Sequence, residues 1–595
     1  MQYDAWQSLP QMFFEQAARY ADRPYLRDKR DGAWHSRSYG AVASEVRQFA
    51  SALAALGLEP GERVALIAEN RPEWTIADLA IMAAGGITVP AFTTNTVADH
   101  AHILGHSGAV GAIVSSRGLA ERIVQAALKT GNLRFLIAID DPGIGQSPPF
   151  RLLRWDAALA LGRIDDPIVD ARIATQKRDD IACFIYTSGT GGLPKGVMLT
   201  HGGILANCKG AYHLLKEFGL GREVFLSFLP LSHSYEHTVG QMFPMTIGAE
   251  IWFAEGADKL LENAAEARPT IMTAVPRLYE AMRGRIERQM TKLPEAKRRW
   301  FERAVALGRK RYEGERLTLG ERVQNCLADI LVRRKMKKRF GGRLKAMVSG
   351  GAALNYEVGV YFTALGLRIL QGYGQTEFAP IISCNPPHDC RIDTVGKPLV
   401  DVELRIAPDG EILVRGEATM KGYWQDPAAT GAALEGGWLH TGDVGEIDKD
   451  GYVRITDRKK DIIVMSGGDN VSPARVEGML TLQPEIAQAL VYGDKHPHLV
   501  ALVVPDDLFI EQWAAANGGV RDLAQLADDR AFHQALSSAI ERANAMLSNL
   551  EKIRRYVVAD EAFTTENEML TVSMKIRRHK IRDRFGAKLL ALYGR

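Results

Sequence analysis

Cysteine is scarce in this chain of 595 residues. Cys183, Cys208, Cys326, Cys384 and Cys390 are scattered and form no C-x-x-C pair. That argues against a disulfide framework or a cysteine-rich zinc site and suits a reducing compartment, so a cytoplasmic location is expected. Net charge is slight as well, +3, which argues against bulk nucleic-acid binding. Long apolar runs are missing. The longest, Leu79 to Phe92, is interrupted by Gly85, Gly86 and Pro90. It is too short to span a bilayer and reads as a buried helix followed by a strand. Met1 to Ala18 carries Asp4 and Glu15 and lacks the basic-then-apolar order of a signal peptide. A Walker A motif is also lacking: Lys195 follows Pro194 and precedes Gly196, whereas that motif needs Lys-Ser/Thr after glycine.

What the chain does have is a concentrated glycine segment, Tyr186 to Val197, read YTSGTGGLPKGV. The apolar run Ile181–Ile185 leads into it and reads as a buried strand. Glycines let backbone N–H groups close around an anion. Thr187, Ser188 and Thr190 add hydroxyls, and Lys195 adds a mobile cation. Such a loop suits a polyphosphate.

The first half alternates short apolar strands (Val64–Ile67, Ile87–Val89, Ala112–Val114, Phe135–Ile139) with helical stretches, one starting near Pro72. This predicts an α/β domain with largely parallel sheets. Val402–Ile406, a turn at Asp409–Gly410 and Glu411–Arg415 predict a β-hairpin in a β-rich subdomain. After Asp457 the chain restarts as a smaller α+β unit, with strands near Ala489–Tyr492 and Leu499–Val504. The expected division is 1–456, a hinge at 457–460 and a mobile unit at 461–595.

One segment is strongly basic. Ala281 to Lys345 holds 21 Lys and Arg against 7 Asp and Glu, a net of +14, which leaves the remainder at about −11. Helical periodicity appears around Phe301, Ala304, Val305, Leu307 and Gly308, and again around Val323, Leu327 and Leu331. Two readings stand: a solvated helical face, or a surface for anionic membrane or for CoA phosphates, which would put the protein at the inner face of a membrane.

Three further segments follow the glycine loop in order: Gln371-Gly-Tyr-Gly-Gln-Thr-Glu377, Trp438-Leu-His-Thr-Gly-Asp-Val444, and Asp457-Arg-Lys-Lys-Asp461 running into Val464-Met-Ser-Gly-Gly468. Together the four resemble the adenylate-forming family of acyl-CoA synthetases, luciferases and adenylation domains, from about residue 10 to about 590. Phe228–His233 and Ser349–Ala353 resemble the long-chain fatty acyl-CoA synthetase branch.

The resemblance implies a ligase that uses ATP and Mg²⁺ to turn a fatty acid into acyl-AMP and then transfers the acyl group to CoA. Thr187, Ser188, Gly189, Thr190, Gly191, Gly192 and Lys195 would hold the phosphates. Glu377, with Thr187 as companion, would ligate Mg²⁺, and Thr376 would donate to the α-phosphate. Tyr373 would stack on adenine among Gln371, Gly372, Gly374 and Gln375, with the main chain of Gly350, Gly351 and Ala352 alongside. Asp443 and Arg458 would hold the ribose, and Lys575 would bridge carboxylate and α-phosphate. Lys460 matches the hinge; His233, Gly467 and Gly468 match the CoA and acyl channels. Apolar residues from Met242 to Ile247 and Val275 are candidates for the acyl wall. The family usually has Thr where this chain has Gly191. Transfer to a carrier-protein thiol, or a non-catalytic lipid or nucleotide sensor, are the competing expectations.

Overall fold

The computed structural model describes residues 2–594 except 146–147, 188–192 and 572–574. Two mixed sheets form the body of the large unit. In the first, the parallel strands Ile181–Thr187, Ile87–Pro90, Arg63–Ile67, Gly111–Val114, Phe135–Ala138 and Arg151–Arg154 lie side by side. Lys195–Thr200 runs antiparallel beside Ile181–Thr187, and Gly422–Tyr423 beside Lys195–Thr200. The second sheet has nine strands, parallel through Val224–Ser227, Ile271–Ala274, Ala346–Ser349 and Ile369–Gly374. Burial explains the run-like character of these strands: each of Gly111–Val114, Phe135–Ala138 and Ala346–Ser349 is buried throughout. The helix Pro72–Ala83, which begins at its proline as expected, is buried at every position, with Trp74 fully enclosed.

The hairpin forms as read. Glu403–Ile406 pairs with Glu411–Arg415, with Gly410 at φ +86° in the turn. It continues through Leu439–Ile447 to Val453–Arg458 as a four-stranded antiparallel sheet. Asp457 and Arg458 thus lie within that last strand.

Beyond them the chain builds a separate core on the strands Ile486–Tyr492, Leu499–Pro505 and Ile553–Val558. Arg578, at the start of the last helix Arg578–Ala591, ties this unit together. Its guanidinium donates two bonds of 2.7 Å to the buried Glu477 carboxylate. Between the two units, the Asn355 amide donates to the Gly478 carbonyl at 3.3 Å.

The basic segment is helical: Pro276–Thr291, Glu295–Tyr312 and Leu319–Ala328, then a π-helical turn Asp329–Arg333 and Arg334–Arg339. Phe301, Ala304 and Leu307 face a core, in line with the first periodicity. The second periodicity faces outward. Val323, Leu327 and Leu331 are 63%, 41% and 40% exposed, and Ala328, Val332, Met336 and Phe340 pack inward instead.

Replacing Arg578 by Met alone leaves Glu477 buried and unpaired, which costs roughly 3 kcal/mol. The double variant Arg578→Met/Glu477→Gln keeps an acceptor for the Val491 N–H, now 2.8 Å from Glu477, and should melt at a higher temperature than the single. A single variant that melts no lower than the double contradicts this role.

Candidate active site

The motifs sit at the carboxyl ends of the strands Ile181–Thr187, Ala346–Ser349 and Ile369–Gly374, where open α/β sheets place their ligands. Thr187 and Lys195 are register partners, so they form the neck of the glycine loop. Residues 188–192, including the expected phosphate contacts Ser188, Gly189, Thr190, Gly191 and Gly192, lie outside the described residues. Two histidines brace the neck from the helix Val97–Ser107. The His102 Nε2–H donates to the Pro194 carbonyl at 2.9 Å. His106 Nδ1 lies 2.8 Å from the Tyr186 hydroxyl. Lys195 pairs with Asp426 at 3.0 Å and lies 5.0 Å from the centre of the Tyr423 ring.

Tyr423 links this neck to the second motif. It sits on the short strand beside Val197, and its hydroxyl donates to Glu377 Oε1 at 2.9 Å. Glu377 therefore keeps one oxygen outside that bond. The Thr376 hydroxyl is buried, 3.0 Å from that of Ser234. Gly374 is obligatory, because a Cβ there would lie 1.9 Å from the Pro380 carbonyl oxygen. Gln371 is buried, and a Cβ on Gly372 would sit 3.2 Å from the Ser383 carbonyl. The Gln375 N–H donates to the Pro380 carbonyl at 2.9 Å. Gly350 follows the strand Ala346–Ser349 and is buried against the Tyr235 ring. Gly351 (φ +84°) and Ala352 expose their main chain at the rim, with Val275 below Gly351. Met242, Phe243, Met245 and Ile247 belong to the main core.

Asp443 and Arg458 face each other across neighbouring strands, with Nε and Oδ1 3.6 Å apart. The Tyr373 hydroxyl donates to the other Asp443 oxygen at 2.6 Å. Burial pushes the Asp443 carboxyl up; Tyr373, Arg458 and Lys575 oppose it. Burial, helped by Asp443, holds the Tyr373 phenol well above its ordinary range, so it stays a donor.

Lys575 reaches this cluster from the other unit. The Lys575 N–H donates to the Thr571 hydroxyl at 3.0 Å and the Thr571 N–H donates to the Lys575 carbonyl at 2.8 Å. Loss of solvent around the ammonium lowers its pKa, Arg458 adds to this, and Asp443 and Glu377 oppose it. The residue as a whole keeps exposed surface. Lys460, just past Arg458, has its pKa lowered by burial and then by Arg458. His233 is held at about 4 by burial and, secondarily, by Lys575. Its Nδ1 accepts from the Tyr235 N–H at 3.2 Å, which suits a neutral ring. Gly467 and Gly468 are not gathered into this cluster. They sit exposed between Ile463–Val464 and Asn470–Val471, where a Cβ on Gly467 would meet only Asp469.

A family model described as AMP-binding enzyme matches residues 13–424, and one described as AMP-binding enzyme C-terminal domain matches 460–595. The chain belongs to the AMP-binding enzyme family. Family members among the curated relatives include the long-chain-fatty-acid–CoA ligase FadD15 of Mycobacterium bovis, 34% identical over 95% of this chain and 93% of that one. Long-chain-fatty-acid–CoA ligase 1 of Cavia porcellus is 31% identical over 95% and 83%. Among solved structures, the anthranilate CoA ligase AuaEII in complex with anthranoyl-AMP shares the family fold, with a TM-score of 0.74 and 22% identity over the whole of both chains.

Sequence reasoning missed Tyr423, Asp426, Ser234, His102 and His106. Only the histidines left a signal, an i, i+4 spacing that puts both on one helix face.

His100, His201 and His233 are all held at about 4 by burial, against an ordinary 6.5. Between those values the unfolded chain binds protons that the folded chain does not. Stability therefore falls as pH drops from about 6.5 to about 4, by up to about 3 kcal/mol per histidine. Melting temperature against pH should decline over that window, less steeply for His201→Gln; an unchanged slope contradicts the assignment.

Proposed function

We propose that this chain is an ATP-dependent, AMP-forming long-chain fatty acid–CoA ligase. The observation that carries the proposal is the grouping of Asp443 with Tyr373 and Arg458, and of Glu377 with Tyr423, as the charges that act on the Lys575 ammonium. It occurs in a chain whose curated relatives are long-chain fatty acid–CoA ligases at 31–34% identity.

A carboxylate is a poor electrophile, and activation makes it a competent acyl donor. One carboxylate oxygen attacks the α-phosphorus of ATP, the α–β bridging P–O bond breaks, and pyrophosphate leaves with its electron pair. The CoA thiol sulfur then attacks the acyl carbon, AMP leaves and the thiol proton is lost. The first step brings two anions together, so positive charge must be concentrated where they meet. Lys575 supplies it between carboxylate and α-phosphate. Lys195 and the loop 187–195 take the β- and γ-phosphates, and Thr376 donates to the α-phosphate. Asp443, steadied by Tyr373, accepts from the ribose hydroxyls; Arg458 holds the ribose from the other side. The Tyr373 ring and the main chain of Gly350–Ala352 form the adenine slot.

The donor set fits Mg²⁺. Glu377 keeps one oxygen outside its bond to Tyr423, Thr187 adds a hydroxyl, and Mg²⁺ binds through one or two carboxylates plus substrate phosphates. When bound, it neutralises phosphate charge.

We take 1–456 as the large unit, 457–460 as the hinge and 461–595 as the moving unit. Rotation about Lys460 withdraws Lys575 after the first step and brings Gly467–Gly468 to the pantetheine route. His233, neutral, is a wall of that route. The substrate's apolar chain makes a bilayer its source, and peripheral contact through residues 281–345 belongs to the same proposal.

Pyrophosphate release from ATP with a panel of carboxylic acids should peak with long-chain fatty acids. Lys575→Ala should slow it about 100-fold or more while sparing thioester formation from supplied acyl-AMP; equal loss of both half-reactions sinks the assigned role. Lys460→Pro should do the converse, and an unaltered second half-reaction removes the hinge.

A further inference from the structure

Five of the 18 large exposed apolar side chains among the described residues fall within thirteen positions: Leu319, Val323, Leu327, Ile330 and Leu331, 40–80% exposed. All lie on the helical run Leu319–Ala328, Asp329–Arg333. Leu319, Val323, Leu327 and Leu331 repeat every fourth residue, so they form one stripe.

The inner face alone holds this run in place. Ala328, Val332, Met336 and Phe340 are buried in the core around Phe362. The Arg333 guanidinium donates to the carbonyls of Ala364 and Ala304 at 2.7 and 2.9 Å and to the Asn325 side-chain oxygen at 2.9 Å. A capping box between Thr318 and Glu321 sets where the run begins, and Lys310 grips Glu321 at 3.0 Å. The stripe is therefore a rigid, outward apolar surface to which no packing role falls.

The charge around it identifies an occupant. Arg316, Arg322, Lys335 and Lys338 are exposed and make no ion pair among the described residues. Arg334 reaches Asp329 only at 3.9 Å. An apolar stripe flanked by free cations matches the boundary between the acyl region and anionic headgroups of a bilayer. A second copy of the chain fits poorly, because a two-fold contact would set these cations against each other.

We propose that the face from Leu319 to Lys338 docks on an anionic lipid surface. The proposal rests on the functional reading above and narrows its contact through residues 281–345 to one face with one occupant, for capture of a long-chain carboxylate where it partitions.

Cys326 gives a direct readout, since it lies in the stripe and is the exposed cysteine. An environment-sensitive fluorophore on Cys326 should shift to the blue with vesicles of phosphatidylglycerol and phosphatidylcholine, and far less with phosphatidylcholine alone. Leu319→Ser/Val323→Ser/Ile330→Ser should abolish the shift. Lys335→Glu/Lys338→Glu should weaken binding to the anionic vesicles about tenfold or more. No shift, or an equal shift on both vesicle types, overturns the proposal. So does a shift without vesicles that grows with protein concentration, which would mark a second copy as the occupant. Pyrophosphate release with a water-soluble acid should be unaffected by either variant. Its absence in the parent protein would sink the reaction and leave the docking result standing.

Discussion

The structure is organised around one ammonium that must come from far along the chain. Lys575 lies more than a hundred residues past the last strand of the large unit, yet its charge is felt by Asp443, and Glu377 and Arg458 act on it in turn. A lysine placed there costs desolvation, and two carboxylates offset that cost. Its place on a separate unit is what the proposed rotation would use to withdraw the charge. The Arg578–Glu477 pair gives the Lys575 loop a firm base three residues away.

The carboxylates of the cleft are held by aromatic hydroxyls as well as by cations. Tyr373 donates to Asp443 and Tyr423 to Glu377. A phenol whose pKa is raised by burial remains a donor at any working pH. Each bond occupies one oxygen and fixes the carboxylate plane, which leaves the other oxygen for the ribose and metal roles proposed above. His102 and His106 do similar work at the loop neck by fixing Pro194 and Tyr186.

Much of this was legible in the sequence. Buried strands announced themselves as short apolar runs, and Asp409–Gly410 announced its turn, because those patterns follow directly from burial and φ. The roles proposed for Glu377, Asp443 and Lys575 rest on resemblance, since an isolated acidic or basic residue looks like surface. Tyr423 and Asp426 were invisible because the short strand Gly422–Tyr423 comes beside Val197 only through long-range pairing. The Val323–Leu331 stripe shows a different limit. Apolar period marks an amphipathic helix, but here Ala328, Val332, Met336 and Phe340 bury while the equally apolar Val323, Leu327 and Leu331 stay outside.

The central claim is that the cleft joins a carboxylate oxygen to the α-phosphorus of ATP. Turnover with ¹⁸O-labelled palmitate, CoA and ATP, followed by mass spectrometry of the nucleotide, tests it most directly. The account predicts one ¹⁸O in each AMP released and none in pyrophosphate. Label in inorganic phosphate, or unlabelled AMP formed alongside acyl-CoA, would contradict it.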